Sequence, residues 1–279
     1  MAEPDTWQLE GAAAELYERY LVPAVTLPWA LDLVDRVGLE RGDSVLDVAC
    51  GTGAVARVAA IRVADGGRVV GLDVNEGMLS VARSLSQPEG ASIEWVDGSA
   101  LALPFGEDEF SVVLCQLGLQ FFSDRTATLR EMRRVLVPGG RIGASVYSAI
   151  ERNPATHALS AALDRHVGEN ASRTKRSEHS LADVEQLRSL FVAVGFDRVE
   201  IETVERIVRF ASVDEYVRVQ FAATPVAAVL IGFDPHERER LVAQVSVDVG
   251  SKLARFQTAS ELAFPQEVHV ARATTSSSL

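Results

Sequence analysis

Disulfides, metal clusters and membrane spans are all scarce or missing in this 279-residue chain. It has only two cysteines, Cys50 and Cys115, too few for a disulfide scaffold and in keeping with a reducing, cytoplasmic setting. No Cys or His pair has metal-ligand spacing. No apolar run is long enough to cross a bilayer, and Met1 to Glu10 lacks the basic flank and apolar stretch of a signal peptide. Basic residues are also short: 27 Lys and Arg against 39 Asp and Glu leave a net charge of -12. A surface of that sign repels polyphosphate, which argues against a nucleic-acid partner. No internal repeat is visible, and only Thr274 to Leu279 is low in complexity and expected to fray.

What is present alternates between strand and helix. Ser44 to Ala49, Arg68 to Val74, Ile93 to Asp97, Ser111 to Gln116 and Arg141 to Tyr147 are short apolar runs that read as strands. Val199 to Val208 and Phe264 to Ala273 supply two more. Helices are expected after the first glycine turn to about Val63, and over Glu76 to Leu85, Ala127 to Leu136 and Leu181 to Val194. The run Val137-Pro138-Gly139-Gly140 reads as a helix stop. Strands apolar on both faces and separated by helices predict an α/β fold, a doubly wound, mostly parallel, Rossmann-like sheet of seven strands. Residues 1–40 read as an N-terminal helical cap, 41–149 as the ligand-binding Rossmann-like core, and 150–279 as two lid insertions, 150–180 and 212–258, with the last helix and strands.

The most informative stretch is Val45-Leu46-Asp47-Val48-Ala49-Cys50-Gly51-Thr52-Gly53, a strand entering a glycine turn. Glycines there let backbone approach a ligand that a Cβ would push away. A nicotinamide loop is matched as well by Gly51, Gly53 and Ala56, so an NAD-dependent oxidoreductase is one alternative. Asp47 weighs against it: a carboxylate at the mouth of the loop would repel a pyrophosphate but suit a sulfonium and an ammonium. Asp73 ends the second strand at the distance where an acid accepts from ribose hydroxyls. Asp97 ends the third, before Gly98-Ser99-Ala100, and can accept from an adenine amino group.

These residues, with Gly71 to Leu79, Asp97 to Phe105 and Leu136 to Gly140, resemble the class I S-adenosylmethionine-dependent methyltransferases. The likeness is to the small-molecule branch that includes ubiquinone, menaquinone and secondary-metabolite enzymes. The resemblance implies S-adenosylmethionine as cofactor, with Ala49, Cys50, Gly51 and Gly53 around its methionine part. It implies Asp73, Val74 and Met78 at ribose and adenine, Ser99 and Ala100 at the adenine edge, and Cys115 and Gln116 near the sulfonium. A small, largely apolar acceptor is expected under the lid, and Asn-Pro-Pro-[Tyr/Phe], the mark of amide or base nitrogen methylation in similar enzymes, is missing after the fourth strand. Because folds do not fix functions, a non-methylating reaction such as cyclisation beside a bound donor is a further alternative. A regulatory binding module is a third, with no feature pointing to its partner.

For the acceptor pocket the candidates are Tyr17, Tyr20, Gln116, Gln120 and Phe221. The catalytic residue stays unassigned; His157, His179 and Tyr20 are candidates, and His166 is a third histidine of the first insertion. The charge-free run Val219 to Phe233 reads as a lid over an apolar acceptor, and equally as a buried helix or a homodimer contact.

Overall fold

The computed structural model describes residues 9, 12–64 and 66–276. Helix α1 (Ala12–Leu16) continues through a π-helical stretch, Tyr17–Thr26, into α2 (Leu27–Val37). Pro23 lies inside that stretch; it has no N–H to give the ladder, and a widened turn absorbs the missing bond. Then follow β1 (Ser44–Val48), α3 (Ala54–Val63), β2 (Arg68–Asp73), α4 (Glu76–Ser84), β3 (Ile93–Asp97) and β4 (Phe110–Gln116). After them come α5 (Arg125–Arg134), β5 (Leu136–Tyr147), α6 (Pro154–His166), α7 (Arg173–Ser177), α8 (Val184–Ala193) and β6 (Asp197–Phe210). The lid helices α9 (Val213–Ala223) and α10 (Pro235–Leu253) precede β7 (Leu262–Thr274).

The seven strands form one sheet in the order β3-β2-β1-β4-β5-β7-β6. All run parallel except β7, which is antiparallel to both β5 and β6. The expected seven-stranded, mostly parallel α/β sheet is therefore present. Period-2 alternation sends successive residues of β1 to opposite faces. Val45 packs with Leu33, Val34, Val55 and Ala59 of α2 and α3; Leu46 packs with Leu129, Met132, Leu187 and Phe191 of α5 and α8. Both faces are thus covered, as an apolar parallel sheet requires.

Two boundaries differ from expectation for identifiable reasons. Helix α5 starts at Arg125 because Asp124 caps it, its Oδ1 accepting from Ala127 N at 2.8 Å. It ends at Arg134, and Val137 to Gly140 lie within β5 instead of closing the helix. They bulge out of the ladder: Leu136 pairs with Phe110 and Arg141 with Val112, and Gly139 turns at φ 75°.

The two insertions pack on each other as one helical cap. Ala155, Leu159 and Leu163 of α6 meet Val245 and Val249 of α10 and Val217 of α9, with Phe210, Leu262 and Phe264 beneath. The polar first insertion hides its buried face in alanines, which is why its helix was not evident in sequence. No helix among the described residues is long and apolar enough to cross a membrane.

Candidate functional site

The carboxyl ends of β1, β2 and β4 open into a cavity that continues beneath the helical cap. Its floor is the turn after β1. Ala49, Gly51 and Gly53 all adopt positive φ (57°, 56° and 87°), conformations that glycine enters freely and alanine only under strain. The turn is strapped to the next strand end by Asp73. Its Oδ2 accepts from Gly51 N at 2.7 Å and its Oδ1 from Asn75 N at 2.9 Å. Asn75 in turn caps α4, accepting from Met78 N, while its Nδ2 is buried without a partner among the described residues.

Asp47 lies beneath the loop and not at its mouth. It is 1% exposed; Oδ2 accepts from Ala56 N at 3.0 Å and Oδ1 has no partner among the described residues. Burial pushes this carboxyl well above the usual range, with the charge of Asp73 adding to the effect. A buried acceptor with no donor is costly.

Of the residues expected to hold the donor, Ala49, Gly51, Asp73, Val74, Met78 and Gln116 line the cavity. Asp47, Cys50, Gly53, Asp97, Gly98, Ser99, Ala100 and Cys115 do not. Asp97 is exposed, paired in register with Asp73 at the neighbouring strand end, and Ser99 Oγ accepts from Leu101 N. Cys50 and Cys115 are buried, and burial raises both thiols, so neither is an available nucleophile. Gly53 has a packing reason of its own: a Cβ there would fall 2.1 Å from the Trp95 ring.

The opposite wall begins with the π-helical stretch. It turns Tyr17, Leu21, Val25 and Thr26 toward the cavity. Tyr17 Oη and Thr26 Oγ1 are 3.0 Å apart, and Gln116 Nε2 donates to the Thr26 carbonyl at 2.9 Å. Burial chiefly, with the carboxylates of Glu18, Asp73 and Glu178 adding, pushes the Tyr17 phenol up to about 12, so it stays protonated. Beyond it lies an aromatic chamber. Phe210 and Phe264 stack at 6.2 Å, and Tyr216 meets their rings edge-on at 5.3 and 5.4 Å. Into this chamber project Lys175 and Glu178 of the first insertion, an ion pair at 2.8 Å with both side chains under a tenth exposed.

Tyr20, Gln120 and Phe221 stand elsewhere. Tyr20 packs partly buried against the cap core with the Arg19 guanidinium over its ring. Gln120 Nε2 donates to the Leu117 carbonyl, leaving Phe121 and Phe122 to line the cavity. Phe221 is buried in the cap, and its neighbour Gln220 faces inward. The charge-free run splits: Val219, Phe221 and Val226 are buried, whereas Ile231 is 79% exposed.

Among the histidines, His157 is exposed on α6 and His166 pairs with Asp248 at 2.9 Å. His179 is buried, its Nδ1–H donating to the Ser148 carbonyl at 2.6 Å and its ring 5.3 Å from Tyr147. Burial lowers its pKa and keeps it neutral near pH 7. It sits behind the Tyr147 wall and does not line the cavity.

Sequence reasoning missed Asn75, Tyr147, Lys175, Glu178, Gln220 and Gln266, all cavity-lining. Asn75 alone carried a local sign, an Asn before the helical run that starts at Glu76.

A sequence profile described as the ubiE/COQ5 methyltransferase family matches residues 26–208. The chain is 42% identical over 131 residues to the 2-phytyl-1,4-naphtoquinone methyltransferase of Thermosynechococcus vestitus, covering 47% of this chain and 56% of that one. It therefore spans little more than half the length of that relative. It is 31% identical over 214 residues to the ubiquinone/menaquinone biosynthesis C-methyltransferase UbiE of Idiomarina loihiensis, covering 71% and 84%. Among solved structures, the YcgJ protein of Bacillus subtilis superposes with a TM-score of 0.57 at 17% identity, over 90% of this chain and 100% of that one, a likeness of fold. With the profile covering well over half its length, the chain belongs to the ubiE/COQ5 methyltransferase family.

Proposed function

We propose that this protein transfers the methyl group of S-adenosylmethionine to a small, largely apolar acceptor. The observation that carries this reading is the continuity of the cavity. One end is the strand-end loop with Gly51, Asp73 and Met78, and the other is the aromatic chamber under the cap. Donor and acceptor would thus lie side by side in one cavity, the donor at the strand ends and the acceptor among the aromatic rings.

The residues present fit the donor. Gly51 gives backbone access, Asp73 offers its carboxylate to ribose hydroxyls, Met78 and Val74 flank the adenosyl group, and Asp47 offers a buried acceptor to the methionine ammonium. When bound, the donor supplies a methyl carbon already activated by a positive sulfur. What remains for the chain is to align and to exclude water. Gln116, held by the Thr26 carbonyl, fixes the wall where the two halves meet. Tyr17 and Leu21, on the π-helical stretch, close the cavity from above. Methyl transfer of this kind needs a base only when the acceptor must lose a proton, and His179, packed against the Tyr147 ring, does not line the cavity.

Titration calorimetry with S-adenosylhomocysteine and with NAD tests the donor. Micromolar or tighter binding of the first and none of the second is expected. Binding of NAD alone would overturn the reading, as would turnover of an acceptor without release of S-adenosylhomocysteine.

A further inference from the structure

We infer that Lys175, Glu178 and Gln220 form a specificity site for the polar end of the acceptor, and that this end is neutral, with a hydrogen-bond donor beside a hydrogen-bond acceptor. A hydroxy-carbonyl or a carboxamide has that character. The inference rests on the methyl-transfer reading above, since it assigns the acceptor half of the same cavity.

The chamber is otherwise a poor place for charge. Its walls are Val208, Phe210, Tyr216 and Phe264, and among the described cavity-lining residues only Asp73, Lys175 and Glu178 are ionic. Asp73 is committed to the donor loop through Gly51 N and Asn75 N. Removing an ion pair from water costs more than a well-packed apolar pair of similar volume, so the fold gains little from Lys175 and Glu178. A ligand with matching groups gains much.

The charge balance then selects among ligands. The ammonium and the carboxylate cancel, so an acceptor ending in a carboxylate or an amine cation would bring a net charge into the chamber with no counter-charge. A neutral end adds none. Lys175 has donors for a carbonyl oxygen, and Glu178 has acceptor capacity for an O–H or N–H. Gln220 supplies an independent sign of what is wanted. It is 5% exposed and lines the cavity, and its Oε1 has no hydrogen-bond partner among the described residues. That oxygen calls for a donor on the ligand.

The test uses three probes with a common naphthalene body, titrated into the full chain saturated with S-adenosylhomocysteine: 3-hydroxy-2-naphthamide, 3-hydroxy-2-naphthoate and 2-methylnaphthalene. The neutral hydroxy-amide is expected to bind at least tenfold more tightly than either the anion or the hydrocarbon. In the double variant Lys175→Met, Glu178→Leu this preference is expected to fall at least tenfold, with affinity for 2-methylnaphthalene kept. Gln220→Leu, which leaves the ion pair in place, is expected to weaken the amide alone by several-fold. Tighter binding of the naphthoate, no preference between amide and hydrocarbon, or a preference that survives both variants would overturn the inference. The wild-type comparison decides even if the double variant does not fold. Titration of S-adenosylhomocysteine alone reports separately on the donor reading.

Discussion

Replacing Gly53 by alanine should destabilise the protein through Trp95 and not only through the loop conformation. The added Cβ would lie 2.1 Å from the far edge of the Trp95 ring, well inside van der Waals contact. The ring has little room to retreat, because a Cβ on Gly71 would meet it at 2.4 Å: the indole fills a slot between the two glycines. Overpacking of this kind costs about 1–3 kcal/mol. The backbone adds its own cost, since φ at Gly53 is +87° and a left-handed residue with a Cβ loses roughly 1–2 kcal/mol. The expected loss is therefore about 2–5 kcal/mol in urea unfolding. Trp95→Leu empties the slot, so in that background Gly53→Ala should cost only the conformational part. A double-mutant cycle should then return a coupling of about 1 kcal/mol or more. If the two changes add to within about 0.5 kcal/mol, the packing argument is wrong and Gly53 is needed for its φ alone.

Asp47→Asn should separate stability from binding. The wild-type carboxyl is pushed up by burial, so its ionisation opposes folding; the stability it permits is full below the unfolded pKa and is lost as pH rises through the folded value. The ligand-free Asn variant should thus melt higher than wild type at pH 7, with the gap closing toward pH 4, yet bind S-adenosylhomocysteine at least tenfold more weakly. Equal binding would remove Asp47 from the donor site. For His179, whose folded pKa is lowered by burial, stability is present above the unfolded value near 6.5 and is lost as pH falls below it. His179→Gln should flatten that acid limb below pH 6.5, and an unchanged limb would refute the assignment. At the start of α10, the Asp234 carboxylate accepts from Glu237 N while the Glu237 carboxylate accepts from Asp234 N. Asp234→Ala should cost about 0.5–2 kcal/mol, read by thermal melting; a change in S-adenosylhomocysteine affinity is not expected.

The centre of the sheet could be read from the chain because β1, β2 and β4 are short apolar runs, buried along almost their whole length and each followed or ended by a glycine or acid signal. Asp73 was found for the same reason: its place is dictated by a strand end. Asp47 was read as facing the ligand because spacing gives distance along a strand but not depth below the loop. The chamber was harder. Lys175 and Glu178 sit in Arg173-Thr174-Lys175-Arg176-Ser177-Glu178, a stretch that local chemistry assigns to solvent. Only the docking of α7 under the cap turns the pair inward. Tyr17 and Tyr20 illustrate the limit within one helix. They are three apart, which in a regular α-helix means one face, but the π-helical stretch around Pro23 changes the phase, and only Tyr17 reaches the cavity.

The antiparallel strand β7 sets a schedule for assembly. Although it is the seventh strand in sequence, it lies between β5 and β6 in the sheet, so β6 has no partner until residues 262–274 have been made. During synthesis, the half of the cavity walled by Phe210 and Phe264 must wait as an open edge, exposed to aggregation, while the donor loop at β1 and β2 already has all its strands. The two halves of the site thus depend on different stretches of chain, the strand-end loop on β1, β2 and β4 and the aromatic chamber on the late arrival of residues 262–274.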